Sequence, residues 1–169
     1  DFSDTPEGLT YLGIVDKFNW FTNHLSRLSV SSLEDMSQDL SQAKKRRSIL
    51  LSYKDSDLSQ EQHITRKIAL FDLENTIEQG QDFPFHDYPI NQIGGLHLNL
   101  VEFMTDIHPL RNTSEANYYI DRLHLFDEVF EGIVEVLREQ SNREIFPPEF
   151  VFNHVIRQLN EFLNYSFEE

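Results

Sequence analysis

The feature that most constrains the fold is an apolar stripe that recurs every three or four residues between Ala116 and Leu137. Its members are Ala116, Tyr119, Ile120, Leu123, Phe126, Phe130, Ile133, Val134 and Leu137. This spacing is that of an amphipathic helix and predicts one continuous helix of about six turns. Thr113 or Ser114, followed by Glu115, is the predicted start of this helix.

Serine residues mark the starts of two further helices. Ser32 is the predicted cap of a helix that ends near Tyr53, since its hydroxyl can accept a hydrogen bond from a first-turn N–H group. Ser59 and Gln62 have the spacing of a capping box, which predicts the start of the next helix. Gly80 is the predicted left-handed C-terminal cap of that helix.

Prolines set the limits of the remaining helices. Pro6, directly after Thr5, predicts an early helix start because proline suits the first helical position. A short helix over 100–107 ends before Pro109, since proline disfavours helical geometry in the residue before it. Pro148 predicts the start of the last helix.

The segment 16–30 allows two interpretations. Its apolar residues, which include Trp20 and Phe21, are compatible with a helix, whereas its Asn and Ser positions suit an irregular segment. No segment keeps the alternation of a β-strand. The sequence therefore predicts an all-α fold, an irregular bundle of about five or six helices with a long aromatic, Gly- and Pro-rich connection.

The predicted core is the packing of the Thr113–Gln140 helix against the Ser59–Gln79 helix and the last helix. Its central side chains, expected to be fully or nearly buried, are Phe126, Phe130, Phe71 and Leu159. A chain of 169 residues with 39% hydrophobic residues has enough apolar volume for such a core.

The long connection spans Phe83–Leu100 and is the predicted site of recognition, because long connections without periodicity tend to be functional. The candidate interface or cleft residues are Phe85, His86, Tyr88, Asn91, Gln92 and His97. His86-Asp87 can act as a general base or cap a turn, and without a nearby nucleophile no catalytic residue is predicted. Gly94-Gly95 is expected to supply positive φ angles at a tight bend.

A metal site is not predicted from the residues. The chain has no cysteine and no His-Glu-x-x-His motif. Asp121, His124 and Glu128 are the nearest approach to a ligand set, since they would share one helix face. A structural histidine at the border of the apolar stripe is the favoured interpretation of His124.

The acidic composition excludes two classes of partner. Acidic residues number 29 against 14 basic ones, for a formal net charge of −15, so phosphate backbones and anionic membranes are repelled. No run of about 18 apolar residues is present, so no transmembrane segment is predicted. The one basic cluster, 44–47, is interpreted as a solvated helix face that pairs with carboxylates such as Asp39, Asp55 and Asp57.

Four motifs in order carry a resemblance to a known family. They are Pro6-Glu7-x-x-Thr10-x-Leu12-Gly13, Pro89-Ile90-Asn91-Gln92-Ile93-Gly94-Gly95-Leu96-His97, Tyr119-Ile120-Asp121-Arg122-Leu123 and Phe146-Pro147-Pro148-x-Phe150-Val151. Over nearly its whole length the chain resembles the N-terminal portion of the bacterial domain of unknown function 885 family. Members of that family look like all-helical zinc metallopeptidases, some of them lipoproteins or exported proteins. Their His-Glu-x-x-His motif has no counterpart here, so the resemblance transfers no zinc ligand and no catalytic glutamate.

The resemblance implies a role for residues 1–169 as a single helical domain, the N-terminal part of a longer protein. The expected function is a scaffold or cleft wall of a zinc-metallopeptidase-like bacterial protein, with zinc implied only for the full-length family and no cofactor in this chain. The alternative is a free-standing acidic helical module that binds another protein. We expect this chain alone to be inactive as an enzyme.

The expected partners are the C-terminal part of the same protein, another protein, or a second copy through an exposed apolar surface. That surface is predicted to involve Phe83, Phe85, Tyr88, Ile93, Phe162, Tyr165 and Phe167. The expected location is the bacterial cell envelope or periplasm, as a lipoprotein, with the cytoplasm as the alternative.

Overall fold

The computed structural model describes residues 6–18 and 23–166 of the chain. Predictions that fall outside these residues involve Thr5, Trp20, Phe21 and Phe167. The described residues form helices, turns and irregular segments without a β-strand, which confirms the predicted all-α class. Contacts divide the chain into two compact units, unit 1 with residues 1–30 and 88–169 and unit 2 with residues 31–87.

The described α-helices follow the predicted order. They are α1 (Pro6–Tyr11), α2 (Ile14–Lys17), α3 (Leu33–Ser52), α4 (Gln60–Asp82), α5 (Leu96–Glu102), α6 (Thr113–Leu123), α7 (Phe126–Asn142) and α8 (Glu149–Leu163). Short 3₁₀ turns lie at Asn23–Ser26 and Asp55–Asp57, and a π-helical turn at Phe103–Ile107 follows α5. Within these residues no helix combines the length and apolar character needed to cross a bilayer.

Unit 2 is a hairpin of the two longest described helices, α3 and α4. Ser32 and Ser59 begin them with capping boxes, in which Asp35 and Gln62 return the hydrogen bond, so both predicted starts are confirmed. Ala43 is the one buried residue in unit 2, all of whose residues are described. The hairpin therefore exposes many large apolar side chains, among them Ile49, Leu51, Ile64, Ile68 and Phe71.

Gly80 lies inside α4, which continues to Asp82, so the prediction of a C-terminal glycine cap is wrong. A Cβ atom on Gly80 would lie 3.1 Å from Cδ1 of Leu40 on α3. The absent side chain thus leaves room for the end of the Leu40 side chain, a contact between the two helices that no local pattern contains.

The basic cluster 44–47 lies on α3 and is largely exposed, as predicted. Arg47 pairs with Glu74 of α4, with 3.1 Å between Nη2 and Oε1. Asp55, a predicted partner of the cluster, pairs instead with Arg66, whose hydrogen bond and charge lower the pKa of Asp55. The prediction for Asp55 is wrong because α4 brings its own arginine to the turn between the helices.

The core of unit 1 forms where α5, the π-helical turn and α7 meet the segment before unit 2. Its buried cluster consists of Leu28, Leu100, Phe103, Met104 and Val129. Phe126 and Phe130 pack against this cluster but are only partly buried. Phe71 is 65% exposed and Leu159 is 36% exposed, so the predicted core is wrong for both residues. Periodicity shows that a helix has an apolar face, but it does not show which face finds a partner.

The predicted six-turn helix is two helices, since α6 ends at Leu123 and α7 begins at Phe126. The N–H group of Leu125 bonds to the carbonyl of Arg122 at 3.1 Å, a tighter step that interrupts the α-helical ladder. Arg122 and Val129 are both buried and lie seven residues apart, so the apolar period stays in phase across the break. The sequence pattern therefore conceals it.

The start of α6 also differs from the prediction. Asn112 is the cap, and its side-chain oxygen accepts a hydrogen bond from the N–H group of Glu115 at 3.0 Å. Thr113 is the first helical residue instead. Hydroxyl side chains such as those of Thr113 and Ser114 are common helix caps, but asparagine is equally suited to the position.

The predictions for two less regular regions, 100–107 and 16–30, agree better with the structure. The short helix predicted over 100–107 begins earlier, at Leu96, and ends before Pro109 as predicted. Its last turn widens, since the N–H group of His108 bonds to the carbonyl of Phe103 at 2.9 Å. In the described part of 16–30 the irregular interpretation is confirmed, with a single 3₁₀ turn after α2.

Candidate functional site

The predicted interface residues fall in both units. Phe85 and His86 lie in unit 2, and Tyr88, Asn91, Gln92 and His97 lie in unit 1. His86 is exposed, and its Nδ1 atom lies 3.2 Å from the carbonyl oxygen of Pro84. Phe85 is partly buried and has a φ angle of 70°, a left-handed conformation that a bulky side chain seldom adopts. These two residues therefore belong to a tight, locally bonded turn.

Asn91 shapes the turn that opens the unit 1 part of the connection. Its side-chain oxygen accepts hydrogen bonds from the N–H groups of Ile93 at 3.0 Å and Gly94 at 2.9 Å, and its amide donates to the carbonyl of Tyr88. The Tyr88 hydroxyl donates to the carbonyl of Phe146 at 3.1 Å. The turn is thus fixed at both ends, and it presents the side chain of Ile93, 83% exposed, to solvent.

His97 joins this turn to α8 through a residue that the sequence did not single out, Gln158. The Gln158 amide donates to the carbonyl of Gln92 at 3.1 Å, and its Oε1 atom lies 3.1 Å from Nε2 of His97. Because Oε1 can only accept, Nε2 of His97 carries the hydrogen. Nδ1 of His97 is buried and has no hydrogen-bond partner among the described residues. The arrangement anchors the turn and brings no acid or nucleophile to the histidine.

The predicted positive φ angles at Gly94-Gly95 are wrong, since Gly95 has a φ of −65° and Gly13 is the described glycine with a positive φ. Gly95 is needed for close approach instead. A Cβ atom there would lie 2.5 Å from the backbone N and 2.6 Å from the backbone O of Asn91, and 2.9 Å from Cε1 of His97. No L side chain fits such distances without a backbone shift.

The most constrained polar group in unit 1 is Arg122 of α6, which has no solvent exposure. Its guanidinium donates to the Thr10 hydroxyl at 2.9 Å, the His24 carbonyl at 2.8 Å and the Arg27 carbonyl at 3.0 Å. A fourth bond, at 2.7 Å, goes to Nδ1 of His108. The arginine thus connects α6 by hydrogen bonds to α1, to the 3₁₀ turn at Asn23–Ser26 and to the residue after the π-helical turn.

The surroundings of Arg122 are neutral in these contacts, because hydroxyl, carbonyl and imidazole groups accept its hydrogen bonds. The Phe103 ring lies under the guanidinium, 4.7 Å from its carbon to the ring centroid, which favours the cation. Burial lowers the pKa of Arg122 to about 10, and the Glu7 charge opposes this shift. The side chain stays charged at neutral pH and holds the fold together rather than acting as a proton donor.

His108 extends the hydrogen-bond network from Arg122 to the first turn of α6. Its Nδ1 atom accepts from Arg122, so Nε2 carries the hydrogen and donates to the carbonyl of Glu115 at 3.0 Å. Burial lowers the pKa of His108, the hydrogen bond to Glu115 raises it, and the Arg122 charge lowers it further. The Glu115 carboxylate in turn accepts three hydrogen bonds from the Arg111 side chain, which lower the pKa of this carboxyl.

Sequence reasoning did not identify Arg122 as a buried residue that stabilises the fold. The sequence contained an indication of this burial, because Arg122 lies at the border of the apolar stripe, seven residues before Val129 and in phase with it. A charged residue in phase with an apolar stripe is expected to be buried only when it is fully hydrogen-bonded. What the sequence could not supply was the identity of its partners.

The described residues contain no group of three or more His, Asp or Glu side chains that could hold a metal ion. Asp121 lies on α6 and Glu128 on α7, so the single continuous helix on which this ligand set was predicted is interrupted between them. His124 lies at the break between these helices and is exposed, which contradicts its interpretation as a structural histidine at the border of the apolar stripe.

The last helix of unit 1 has a broad apolar side, of which only part is buried. Its inner face buries Val151 and Val155. A second set, here named the α8 stripe, is exposed and consists of Phe152, Ile156, Leu159 and Leu163. At about 100° per residue these four side chains lie within one narrow sector of the helix. Their spacing therefore produces a continuous apolar surface open to solvent.

The predicted exposed surface is found in part. Phe83, Ile93, Phe162 and Tyr165 are exposed, as expected, and Ile93 belongs to the turn that Asn91 fixes. Phe85 and Tyr88 are partly buried instead. The α8 stripe is a further exposed apolar surface, although its member Leu159 was predicted to lie in the core.

Comparison with known proteins places the chain among bacterial proteins. The family described as bacterial protein of unknown function, DUF885, matches residues 6–169. The crystal structure of the putative lipoprotein from Colwellia psychrerythraea is similar in fold, with a TM-score of 0.76 at 16% sequence identity. The match covers 97% of this chain and 30% of that protein, so the chain spans less than a third of its relative's length. No curated protein matches the sequence.

Proposed function

The chain belongs to the bacterial family of unknown function DUF885, and we propose that it is the N-terminal helical scaffold or cleft-wall domain of a longer metallopeptidase-like protein. In this role it supplies surface and positioning, while zinc and the catalytic glutamate belong to other parts of the longer protein. We therefore expect the chain alone to bind no zinc tightly and to hydrolyse no peptide.

The observation that carries this proposal is the α8 stripe. Complete burial of one large apolar side chain is worth about 1.5–3 kcal/mol relative to full exposure, and the four residues of the stripe, between 36% and 78% exposed, each forgo part of this energy. Contiguous exposed surfaces of this kind mark interaction sites. The relative of similar fold is more than three times as long as this chain. In a longer protein of this kind, a further helical segment would pack on the α8 stripe and bury it.

The proposed cellular location of the protein rests on the comparison with the relative of similar fold. The relative of similar fold is described as a putative lipoprotein, which supports a place for this chain in the bacterial cell envelope or periplasm. The location can be measured by fractionating cells of the source bacterium and detecting the protein with an antibody. Recovery in the cytoplasmic fraction would contradict this part of the proposal.

The chain has no cysteine, so single-cysteine variants report on one position at a time. Ile156→Cys places a thiol in the α8 stripe, and Glu161→Cys places one on the opposite, exposed side of α8. Both should react rapidly with a maleimide in the 169-residue chain. In the polypeptide encoded by the complete gene, we expect labelling of residue 156 to slow by about tenfold or more while residue 161 stays reactive.

The competing function is a free-standing acidic module that binds another protein. The outer side of α7 favours it, since Asp127, Glu128, Glu131 and Glu135 are all exposed there. A reading frame that ends at Glu169, or a residue 156 that remains reactive in the complete gene product, would support the module and contradict the scaffold.

A further inference from the structure

Basic residues are concentrated in one short part of unit 2. Of the 14 basic residues in the chain, seven lie within residues 44–67, together with only three acidic residues. This stretch, here named the basic segment, therefore carries a formal net charge of +4, whereas the remaining residues, seven basic and 26 acidic, carry −19. It comprises the second half of α3, the 3₁₀ turn at Asp55–Asp57 and the start of α4. The net charge of −15 thus conceals a local region of opposite sign.

Two cations of the basic segment are neutralised within unit 2. Arg47 and Arg66 form the ion pairs with acidic residues that are described above. Lys44, Lys45 and Lys54 are exposed and form no ion pair with any residue that the structure describes. The charges of these lysines therefore face solvent.

The exposed side of α3 combines some of these charges with apolar side chains. Lys45, Arg46, Ile49 and Tyr53, here named the α3 outer face, are all exposed, Ile49 by 48% and Tyr53 by 53%. At about 100° per residue the four side chains occupy a sector of about 100°. The centre of this sector points about 150° away from Arg47, whose partner Glu74 is on α4. The α3 outer face is therefore a convex ridge on the side of the hairpin away from α4.

The mixture of side chains on the α3 outer face indicates the chemistry of its partner. Lysine and arginine stems lie along apolar surface while their charged ends contact anionic groups. Tyrosine is enriched at the membrane–water boundary, and an isoleucine beside it reaches the first part of the acyl chains. A nucleic acid would attract the two cations but would leave Ile49 in water. A flat anionic lipid surface contacts all four side chains of a convex ridge at once.

The net charge of the chain does not prevent such a contact. The repulsion of anionic membranes expected from the composition assumes that the charge is spread evenly, and the basic segment shows that it is not. At physiological salt, charges more than about 8 Å apart are largely screened. Asp39, the nearest acidic residue of α3 before Lys45, lies about 9 Å away along the helix axis. Asp55, which follows the ridge, is held by Arg66.

We propose that the α3 outer face binds the surface of an anionic phospholipid bilayer. Lys45 and Arg46 contact the headgroup phosphates, and Ile49 and Tyr53 enter the boundary between headgroups and acyl chains. The contact is peripheral, since the helix lies on the bilayer and does not cross it. It depends neither on the scaffold role of the α8 stripe nor on the proposed cellular location.

Flotation of the 169-residue chain with lipid vesicles tests the proposal. Vesicles of phosphatidylcholine with added phosphatidylglycerol should carry the protein upward, and vesicles of phosphatidylcholine alone should not. Binding should weaken as the salt concentration rises from about 50 mM to about 500 mM, because the Debye length becomes shorter. The bound fraction at a series of lipid concentrations gives the partition coefficient.

Two double variants separate the local charge from the net charge. Lys45→Glu/Arg46→Glu should lower the partition coefficient by about tenfold or more, since each basic residue near an anionic surface contributes roughly fivefold. Arg138→Glu/Arg157→Glu changes the net charge by the same amount at exposed positions of unit 1, and should change binding by less than about twofold. All four positions are exposed, so circular dichroism should show a folded protein in both variants.

A fluorescent label tests the entry of the apolar side chains. The chain has no cysteine, so Ile49→Cys can carry a single environment-sensitive dye on the α3 outer face. Its emission should shift to shorter wavelength when vesicles with phosphatidylglycerol are added. The same dye on Glu161→Cys, an exposed position of α8, should show no shift. An unchanged emission at residue 49 in the bound protein would contradict the proposed orientation.

Three outcomes would overturn the proposal. The first is a chain that does not float with phosphatidylglycerol vesicles at low salt. The second is equal binding of the wild-type chain and Lys45→Glu/Arg46→Glu. The third is binding to double-stranded DNA, lost in that variant, without binding to vesicles, which would assign the basic segment to nucleic acid.

Discussion

Unit 1 and unit 2 have similar helices and quite different interiors. In unit 1 a fully buried arginine, Arg122, receives hydrogen-bond partners from segments that lie 95 to 112 residues away in the sequence. In unit 2 the two longest described helices bury one alanine, Ala43. The contrast separates two sources of helical structure. Unit 2 relies on caps, helix propensity and one shared face, whereas unit 1 relies on long-range contacts that fix each side chain.

This difference predicts where substitutions will have large effects. A buried side chain with several partners loses packing and hydrogen bonds together, whereas an exposed one loses little. The prediction of a single domain over residues 1–169 can be examined in the same experiments. One cooperative unfolding transition would support a single domain, and two separate transitions would assign independent stability to the units.

The largest expected effect comes from Arg122→Met, which keeps most of the volume and removes the cation. We expect the free energy of unfolding to fall by about 3–5 kcal/mol, since the acceptors on Thr10, His24 and Arg27 would be left buried without a donor. Urea denaturation followed by circular dichroism measures this change. Arg47→Met in unit 2 removes an exposed ion pair with Glu74 and should cost less than about 1 kcal/mol. Equal effects of the two substitutions would contradict the contrast between the units.

A matched pair of phenylalanines tests the apolar side of the comparison. Phe103→Ala in the core of unit 1 should destabilise the protein by about 3–5 kcal/mol, because it leaves a cavity and removes the ring under Arg122. Phe71→Ala in unit 2 should change stability by less than about 0.5 kcal/mol, because Phe71 is 65% exposed. Thermal unfolding at low concentration provides the measurement. A large loss for Phe71→Ala there would mean that α4 is covered within one chain.

Two glycines give a smaller and more local test. Gly95→Ala in unit 1 should cost about 1–3 kcal/mol, because the new methyl group would overlap the backbone of Asn91. Gly80→Ala in unit 2 meets only the end of the Leu40 side chain, and alanine is better than glycine inside a helix by about 1 kcal/mol. We therefore expect Gly80→Ala to be neutral or stabilising. Gly94→Ala, which has open space around it, is the control for the connection.

The smallest expected effect is a pH dependence specific to unit 1. The pKa of His108 is lowered from its ordinary value of 6.5, so below that value the unfolded chain binds the proton more readily than the folded one. Stability should therefore decrease as the pH falls from about 7 to about 5, by at most about 1.4 kcal/mol per pH unit from this group. His108→Asn should flatten the profile in this range while its plateau at pH 8 reports the structural cost. An unchanged slope in the variant would assign the pH dependence to other groups.

The reliability of the sequence analysis also differs between the units. The starts of α3 and α4 were predicted correctly because a capping box needs only a serine and a residue three positions on. The choice of Phe71 as a core residue was wrong because α4 has two apolar faces and only one packs against α3. In the candidate site, Asn91 and His97 were named as candidates from their place in the connection and remain a prediction, whereas their neighbour Gln158 was not named, since it lies 61 residues after His97.

The sequence by itself determined the all-α class, the two capped helix starts in unit 2 and the helix end before Pro109. These features depend on interactions within about four residues, which a local pattern contains in full. Only the tertiary structure decided the burial of Arg122, the close approach at Gly95 and the exposed faces of α4 and α8. Each of these depends on which distant segment lies opposite a given side chain, and the energies involved arise only when the chain is assembled.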